Sequence, residues 1–166
     1  MVMRGASSTL TLPKAEDMAF GIVVSEREAE ISSLMLESAV RTLREAGCLE
    51  HNIHIKYVPA PFNLAMAAQF FAEYTDVDSV ILLGSYRVGD ADESIVGSLV
   101  QNVLQIQMHW NMPCAWGVMP IGEHINTYEI GERGVSAAVE ALNMVKHQVD
   151  MEAASPNAAA DKKSLN

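Results

Sequence analysis

Ser79-Val80-Ile81-Leu82-Leu83-Gly84, running through Ser85-Tyr86-Arg87-Val88-Gly89 into the long stretch from Glu93 to His109, decides the fold. Val80 to Leu83 is an unbroken aliphatic run, the pattern of a strand covered on both faces, with Gly84 read as its stop. The later stretch places Ile95, Leu99, Val103, Ile106 and Trp110 at helical intervals. A fully buried strand that feeds an amphipathic helix is half of a βαβ unit, and such units build parallel sheets.

The same unit recurs on either side. Upstream, Phe20-Gly21-Ile22-Val23-Val24 ends at Ser25, and Ile31, Leu34, Met35, Ser38, Ala39, Thr42, Leu43 and Ala46 follow at helical spacing before Gly47, a helix-stop residue. Ile53 to Val58 alternates and is bounded by Pro59 and Pro61, so it reads as a strand, and Leu64 to Tyr74 reads as a helix. Downstream, Pro113 to Met119 is the fourth strand and Gly134 to Val149 the last helix. The alternation predicts one α/β domain, a flavodoxin-like three-layer sandwich with a four-stranded parallel sheet and helices on both faces. Ligands of such sheets sit at the carboxyl ends of the strands, here Val24–Glu28, Val58–Asn63, Gly84–Glu93 and Met119–His124. The expected organisation is a flexible arm over 1–17, the domain over 18–149 and a disordered tail over 150–166, which has almost no large apolar residue. Within the arm, Thr9-Leu10-Thr11-Leu12 could supply one edge strand, to its own sheet or a neighbour's.

Bulk properties narrow the function. The 166 residues carry 21 acids against 11 Lys and Arg, a formal net charge of −10. That charge argues against nucleic acid and against an anionic membrane surface, both of which need a basic face. It leaves room for a small phosphorylated ligand held in one local pocket. No apolar run approaches the ~18 residues of a membrane helix, and the start of the chain lacks a signal-peptide core, so a cytoplasmic protein is expected. Cys48 and Cys114 have no metal-ligand spacing and read as packed, reduced thiols. No metal and no cofactor are expected. The low charge content, 19%, together with ten Met, suits a chain that buries surface against another subunit.

Read from chemistry alone, the strand-end residues leave more than one use open. Gly84 to Gly89 is either a structural turn or an anion-cradling loop, with no Walker or G-x-G-x-x-G spacing. Asp90, Asp92 and Glu93 either cap the following helix or act as acid/base or metal groups. Glu26, Arg27, Glu28 and Glu30 form a solvated helix start or touch a ligand. Trp116 is a core or interface ring or a stacking surface, and His124 is a loop histidine or the best-placed one for chemistry.

Taken together, five segments resemble the lumazine synthase family over about residues 18–149. Gly21-Ile22-Val23-Val24-Ser25 is similar to that family's first strand, which ends in S-R-F-N. Val58-Pro59-Ala60-Pro61-Phe62-Asn63-Leu64 resembles V-P-G-A-F-E-I. Leu83-Gly84 followed by Val88-Gly89 resembles A-L-G-A-V-I-R-G. Met112-Pro113-Cys114-Ala115-Trp116-Gly117-Val118-Met119 resembles V-P-V-I-F-G-V-L, and Glu132-Arg133-Gly134-Val135-Ser136-Ala137-Ala138 resembles N-K-G-A-E-A-A.

The resemblance implies synthesis of dimethyl-ribityllumazine, the riboflavin precursor, in a homo-oligomer built of pentamers with sites between subunits. It implies a lumazine or flavin ligand and a pocket of Glu26, Arg27, Phe62, Asn63, Ser85, Tyr86 and Glu93, with Trp116 and Arg133 from across an interface. Departures fall on the chemistry. Arg27 replaces the ring-stacking aromatic, Asn63 replaces a Glu, and the phosphate loop R-G-x-T-x-H becomes Val88-Gly89-Asp90-Ala91-Asp92-Glu93. Glu93 thereby occupies the position of the proton-transfer His. About six residues are missing before the last helix, among them the family's phosphate-gripping Arg; Arg133 matches a later Lys. The expectation is a relative with weak or lost catalysis, a non-catalytic flavin- or lumazine-binding assembly, or an enzyme turned to a ligand without phosphate.

Overall fold

The structure, a computed structural model, describes residues 11–89 and 91–156. Four strands, β1 (Phe20–Ser25), β2 (Ile53–Val58), β3 (Ser79–Arg87) and β4 (Cys114–Ile121), alternate with four helices, α1 (Ala29–Glu45), α2 (Leu64–Tyr74), α3 (Ala91–Trp110) and α4 (Thr127–Ala153). Every strand pair is parallel and the order is β2-β1-β3-β4. The expected α/β sandwich, with its four-stranded parallel sheet, is therefore what the chain forms.

The side-chain alternation of β1 and β3 splits the core in two. Phe20, Ile22, Val24, Ile81 and Leu83 pack with Met35, Ala39 and Leu43 of α1 and with Ala137, Ala138, Ala141 and Leu142 of α4. Val23, Val80 and Leu82 pack on the opposite face with Leu64, Ala68 and Phe71 of α2 and with Leu99 and Val103 of α3. Helices thus cover both faces, in pairs. Gly134 permits the tightest of these contacts: a Cβ there would lie 2.2 Å from the Met35 carbonyl oxygen, so α4 lies against the backbone of α1.

The two sheet edges differ. At β4, Gln107 Oε1 accepts the Cys114 amide at 2.9 Å, Glu140 Oε2 accepts the Trp116 amide at 3.4 Å, and Pro120 has no amide to offer. At β2 no such side-chain cap exists among the described residues, and the strand is open on both faces, with Tyr57 59% exposed.

Several boundaries depart from the sequence expectations, among them β4, which runs to Ile121 instead of Met119. Gly84 does not stop β3, which continues to Arg87 because β4 pairs with it as far as Ile121. The last helix begins at Thr127 rather than Gly134, since Asn126 Oδ1 accepts the Glu129 amide at 2.9 Å and caps it. It ends at Ala153, so it enters the stretch expected as a tail from 150. The expected arm over 1–17 is anchored at Ala15, fully buried in the α1–α4 core, whose amide donates to the Ala46 carbonyl at 2.8 Å. Of the suggested edge segment 9–12, Thr11 and Leu12 form no strand, and positions 9 and 10 lie outside the described residues. No helix among the described residues is long and apolar enough to cross a membrane.

Candidate ligand site at the strand ends

The chain leaves β1 toward β2 on one side and toward β3 on the other, so the strand order reverses between β1 and β3. The carboxyl ends of these two strands flank the crevice where sheets of this kind bind ligands. Ser25 closes β1, and the Glu26 amide donates to the Val58 carbonyl at 2.8 Å, which ties the start of the next loop to the end of β2. Pro61, Phe62 and Asn63 form a single tight turn before α2. The Arg27 guanidinium lies 5.5 Å from the centre of the Phe62 ring, a cation–π distance. These two residues come together, and both are exposed.

Asn63 is half-buried and partly committed: its Oδ1 accepts the Ala60 amide at 3.1 Å. Glu93 is committed as well. Its Oε2 accepts the Gly89 amide at 2.8 Å, so the acid closes the loop after β3 as a cap. Gly89 has φ +87, a left-handed conformation that glycine adopts without cost. Ser85 is fully buried and its hydroxyl has no partner; the same holds for Ser25. Tyr86 packs against the α2–α3 side of the core.

The two remaining residues stand apart from this group within one chain. Trp116 pairs with Leu82 in mid-sheet, five residues before the end of β4, roughly 16 Å along the strand. Arg133 lies in the second turn of α4, half-buried, with no ion pair to a described residue. His124 is exposed in the turn between β4 and α4. Among the described residues no group of three His, Cys, Asp or Glu side chains is disposed to hold a metal ion.

One pair escaped the sequence reading. Arg87 Nε donates to Glu28 Oε1 at 2.8 Å, joining residues 59 apart across the β1–β3 crevice. Nothing local signals this contact; it follows from the β1–β3 register together with the extra three residues of β3. Concave surfaces flank the crevice. Phe62 lines one of about 510 Å³ with Met66, Asn102 and Ile106, between α2 and α3. Asn63 lines another of about 500 Å³ with Tyr57, Phe70 and Tyr74, between β2 and α2.

Two cysteines are far from this chemistry. Burial, then the Glu140 charge, pushes the Cys114 thiol up to about 12. Burial, then Asp78, raises Cys48.

Residues 17–148 match the family described as 6,7-dimethyl-8-ribityllumazine synthase. The chain is 33% identical over 135 residues to the 6,7-dimethyl-8-ribityllumazine synthase of Bacteroides fragilis, covering 77% of this chain and 94% of that one. It is 32% identical over 142 residues to that of Parabacteroides distasonis, covering 81% and 89%. A chloroplastic counterpart from Arabidopsis thaliana is 26% identical over 143 residues, covering 82% and 63%. With the parallel sheet, the crevice between β1 and β3 and a match across most of its length, this chain belongs to the 6,7-dimethyl-8-ribityllumazine synthase family.

Proposed function

We propose that this chain, over residues 18–149, is a cytoplasmic lumazine synthase relative of riboflavin biosynthesis in which lumazine formation is very weak or lost. One observation carries the reading. The loop that resembles R-G-x-T-x-H has Val88, Ala91 and Glu93 in place of Arg, Thr and His, and the Gly89 amide is already taken by the Glu93 carboxylate. An anion cannot use that amide while a carboxylate holds it. At ~4 Å and an effective dielectric near 20, one like-charge contact opposes binding by about 4 kcal/mol before solvent screening, and this exposed loop keeps only part of that. Loss of a general acid/base group alone costs about 10²–10⁴-fold in rate. Loss of positioning for the phosphate costs more, because both substrates must be held together.

The ring platform is better preserved. Arg27 over Phe62 offers a flat, partly apolar surface suited to a lumazine or flavin, so we infer residual binding of such a ring. This supports the second reading, a non-catalytic binding protein. A third use, an enzyme acting on a ligand without phosphate, fits the same acidic loop.

Self-association fits the surface. Between Ser94 and Trp110 the helix α3 has no Asp, Glu, Lys or Arg, yet Ile95, Leu104 and Met108 are exposed, the last by 85%. Tyr57, Met66, Phe70 and Tyr74 form an exposed aromatic groove elsewhere on the chain. Two different apolar faces on one molecule suit a head-to-tail ring, here of pentameric type, with Trp116 and Arg133 of one copy completing a neighbour's site. Light scattering that returns the mass of one chain would end this part of the proposal. The activity is tested by assaying purified protein with the two substrates of the family reaction. A turnover near 1 s⁻¹ or above, an ordinary enzyme rate, would overturn the reading.

A further inference from the structure

A second feature of the crevice lies on its α1 side, away from the loop at the start of α3. Glu28 is the residue before α1 and adopts φ 55, ψ 53, the left-handed region that a non-glycine residue occupies at a cost. Its side chain does not cap the helix. It reaches instead to Arg87, so this 17-residue helix starts without a side-chain cap among the described residues. Arg87 is 57% exposed and gives Glu28 only its Nε; its two terminal amino groups have no described partner.

The surroundings are polar and underused. Ser85 precedes Arg87 by two residues, which puts both on the same face of β3, the face that meets α1. Ser32 stands one turn into α1, and its amide donates to the Glu28 carbonyl at 3.2 Å. Both serines are buried, to 0% and 1% exposure, and neither hydroxyl has a hydrogen-bond partner among the described residues. A guanidinium, a helix start and two unpartnered hydroxyls together make a site for an oxyanion. The anion now paired with Arg87 is the Glu28 carboxylate, held in a strained backbone, and Glu30 stands in the same first turn of α1.

We propose that Arg87, the start of α1 and the hydroxyls of Ser32 and Ser85 form an oxyanion site, and that Glu28 occupies it in the resting chain as a built-in competitor. An incoming phosphate or carboxylate displaces the Glu28 side chain from Arg87 and releases that residue to relax. The inference is independent of lumazine formation, because it concerns the α1 side of the crevice and needs no turnover.

The test uses the full chain and the phosphate-dependent rise in melting temperature at constant ionic strength, fitted to an apparent affinity. Arg87→Ala should weaken inorganic phosphate about tenfold, and Arg87→Lys should fall between, since it keeps the charge and loses the fork. Glu28→Gln should strengthen phosphate about threefold, the range expected when a partly exposed ion pair is removed. Glu28→Gly should do the same and melt no lower than the parent without phosphate, because glycine accepts φ 55 freely. A Glu28 that merely braces the fold would give the opposite: lower melting in both variants and no gain in affinity. Acetate run in parallel identifies the anion. A response to phosphate alone assigns a phosphate ester, and a response to both admits a carboxylate. Unchanged phosphate affinity in Arg87→Ala, or equal or weaker affinity in Glu28→Gln, overturns the proposal. If the family substrates bind normally under those outcomes, the failure is of this site alone.

Discussion

Replacing Gly134 by Ala sets two physical effects of opposite sign against each other. Alanine favours a helix interior over glycine by about 1 kcal/mol. Against this, the added Cβ would lie 2.2 Å from the Met35 oxygen, 2.9 Å from its carbonyl carbon and 3.0 Å from its Cα. Carbon and oxygen in contact prefer about 3.3–3.6 Å, so α1 and α4 must separate by roughly 1 Å. The obstacle is backbone, which has no rotamer to change. A gap of that size forfeits about a quarter to a half of each dispersion contact along Met35, Ala39, Leu43, Ala138 and Leu142. Overpacking of this kind costs about 3 kcal/mol at the upper end of its usual range. The net destabilisation is therefore about 2 kcal/mol, or roughly 4–8 °C in melting temperature for a domain of this size. Gly131, on the same helix, is the internal control: a Cβ there meets only Ser38 Oγ, at 3.3 Å. A hydroxyl can turn away, so Gly131→Ala should raise the melting temperature by about 1–4 °C. Urea denaturation of the two variants beside the parent would measure both shifts. If they move the same way, or if Gly134→Ala melts with the parent, the account of the α1–α4 contact is wrong.

Further outcomes follow from the edge of β4 and from the strand ends. Cys114 should resist iodoacetamide at pH 8 in the folded chain and react on unfolding, as mass spectrometry would register, because its thiol is pushed up to about 12. The raised thiol favours the protonated form in the folded state, so its contribution to stability is full below the ordinary thiol range and declines as pH rises through it. Glu140 is also raised, by burial, against a lowering by the Trp116 amide. Glu140→Gln keeps the acceptor and drops the charge, so it should melt at or above the parent at pH 7, with the difference closing as pH falls through the carboxyl range; a large loss at pH 7 would mean the charge itself holds β4. Phe62→Ala should reduce riboflavin binding about tenfold in a fluorescence titration, and unchanged affinity would remove Phe62 from the ring platform.

The strands and three of the helices were legible because their burial is two-sided or strictly periodic. β1 is buried throughout and β3 as far as Ser85, and α2 spans Leu64 to Tyr74 as its apolar spacing indicates. The start of α4 was not legible from hydrophobicity, because Thr127 to Glu129 are exposed and two glycines follow within seven residues. The signal that would have found it was local: Asn126 three residues before Glu129, the spacing of a helix cap. The extension of β3 past Gly84 was hidden for a different reason. A glycine in a strand looks like a stop, whereas here it leaves room for Ser25, whose Cβ lies 3.1 Å from where a Gly84 Cβ would be. At the site, strand-end reasoning put Arg27 and Phe62 in one region, and the structure brings their side chains to a cation–π distance. The Glu28–Arg87 contact depends on register between strands 59 residues apart, which no local pattern encodes.

The unequal edges of the sheet limit how this chain can go wrong. Gln107 and Glu140 occupy the outward amides of Cys114 and Trp116, and Pro120 offers none, so an incoming strand finds the β4 edge largely used. A stray partner meets fewer obstacles at β2, which has no such caps among the described residues. Two molecules joined β2 to β2 would expose only β4 edges, so further sheet extension meets the capped side. Fibrous growth is then favoured by detachment of α3 or α4, which would free the Cys114 and Trp116 amides. Resistance to amyloid-like polymerisation should therefore track the attachment of those two helices more closely than the global stability of the fold.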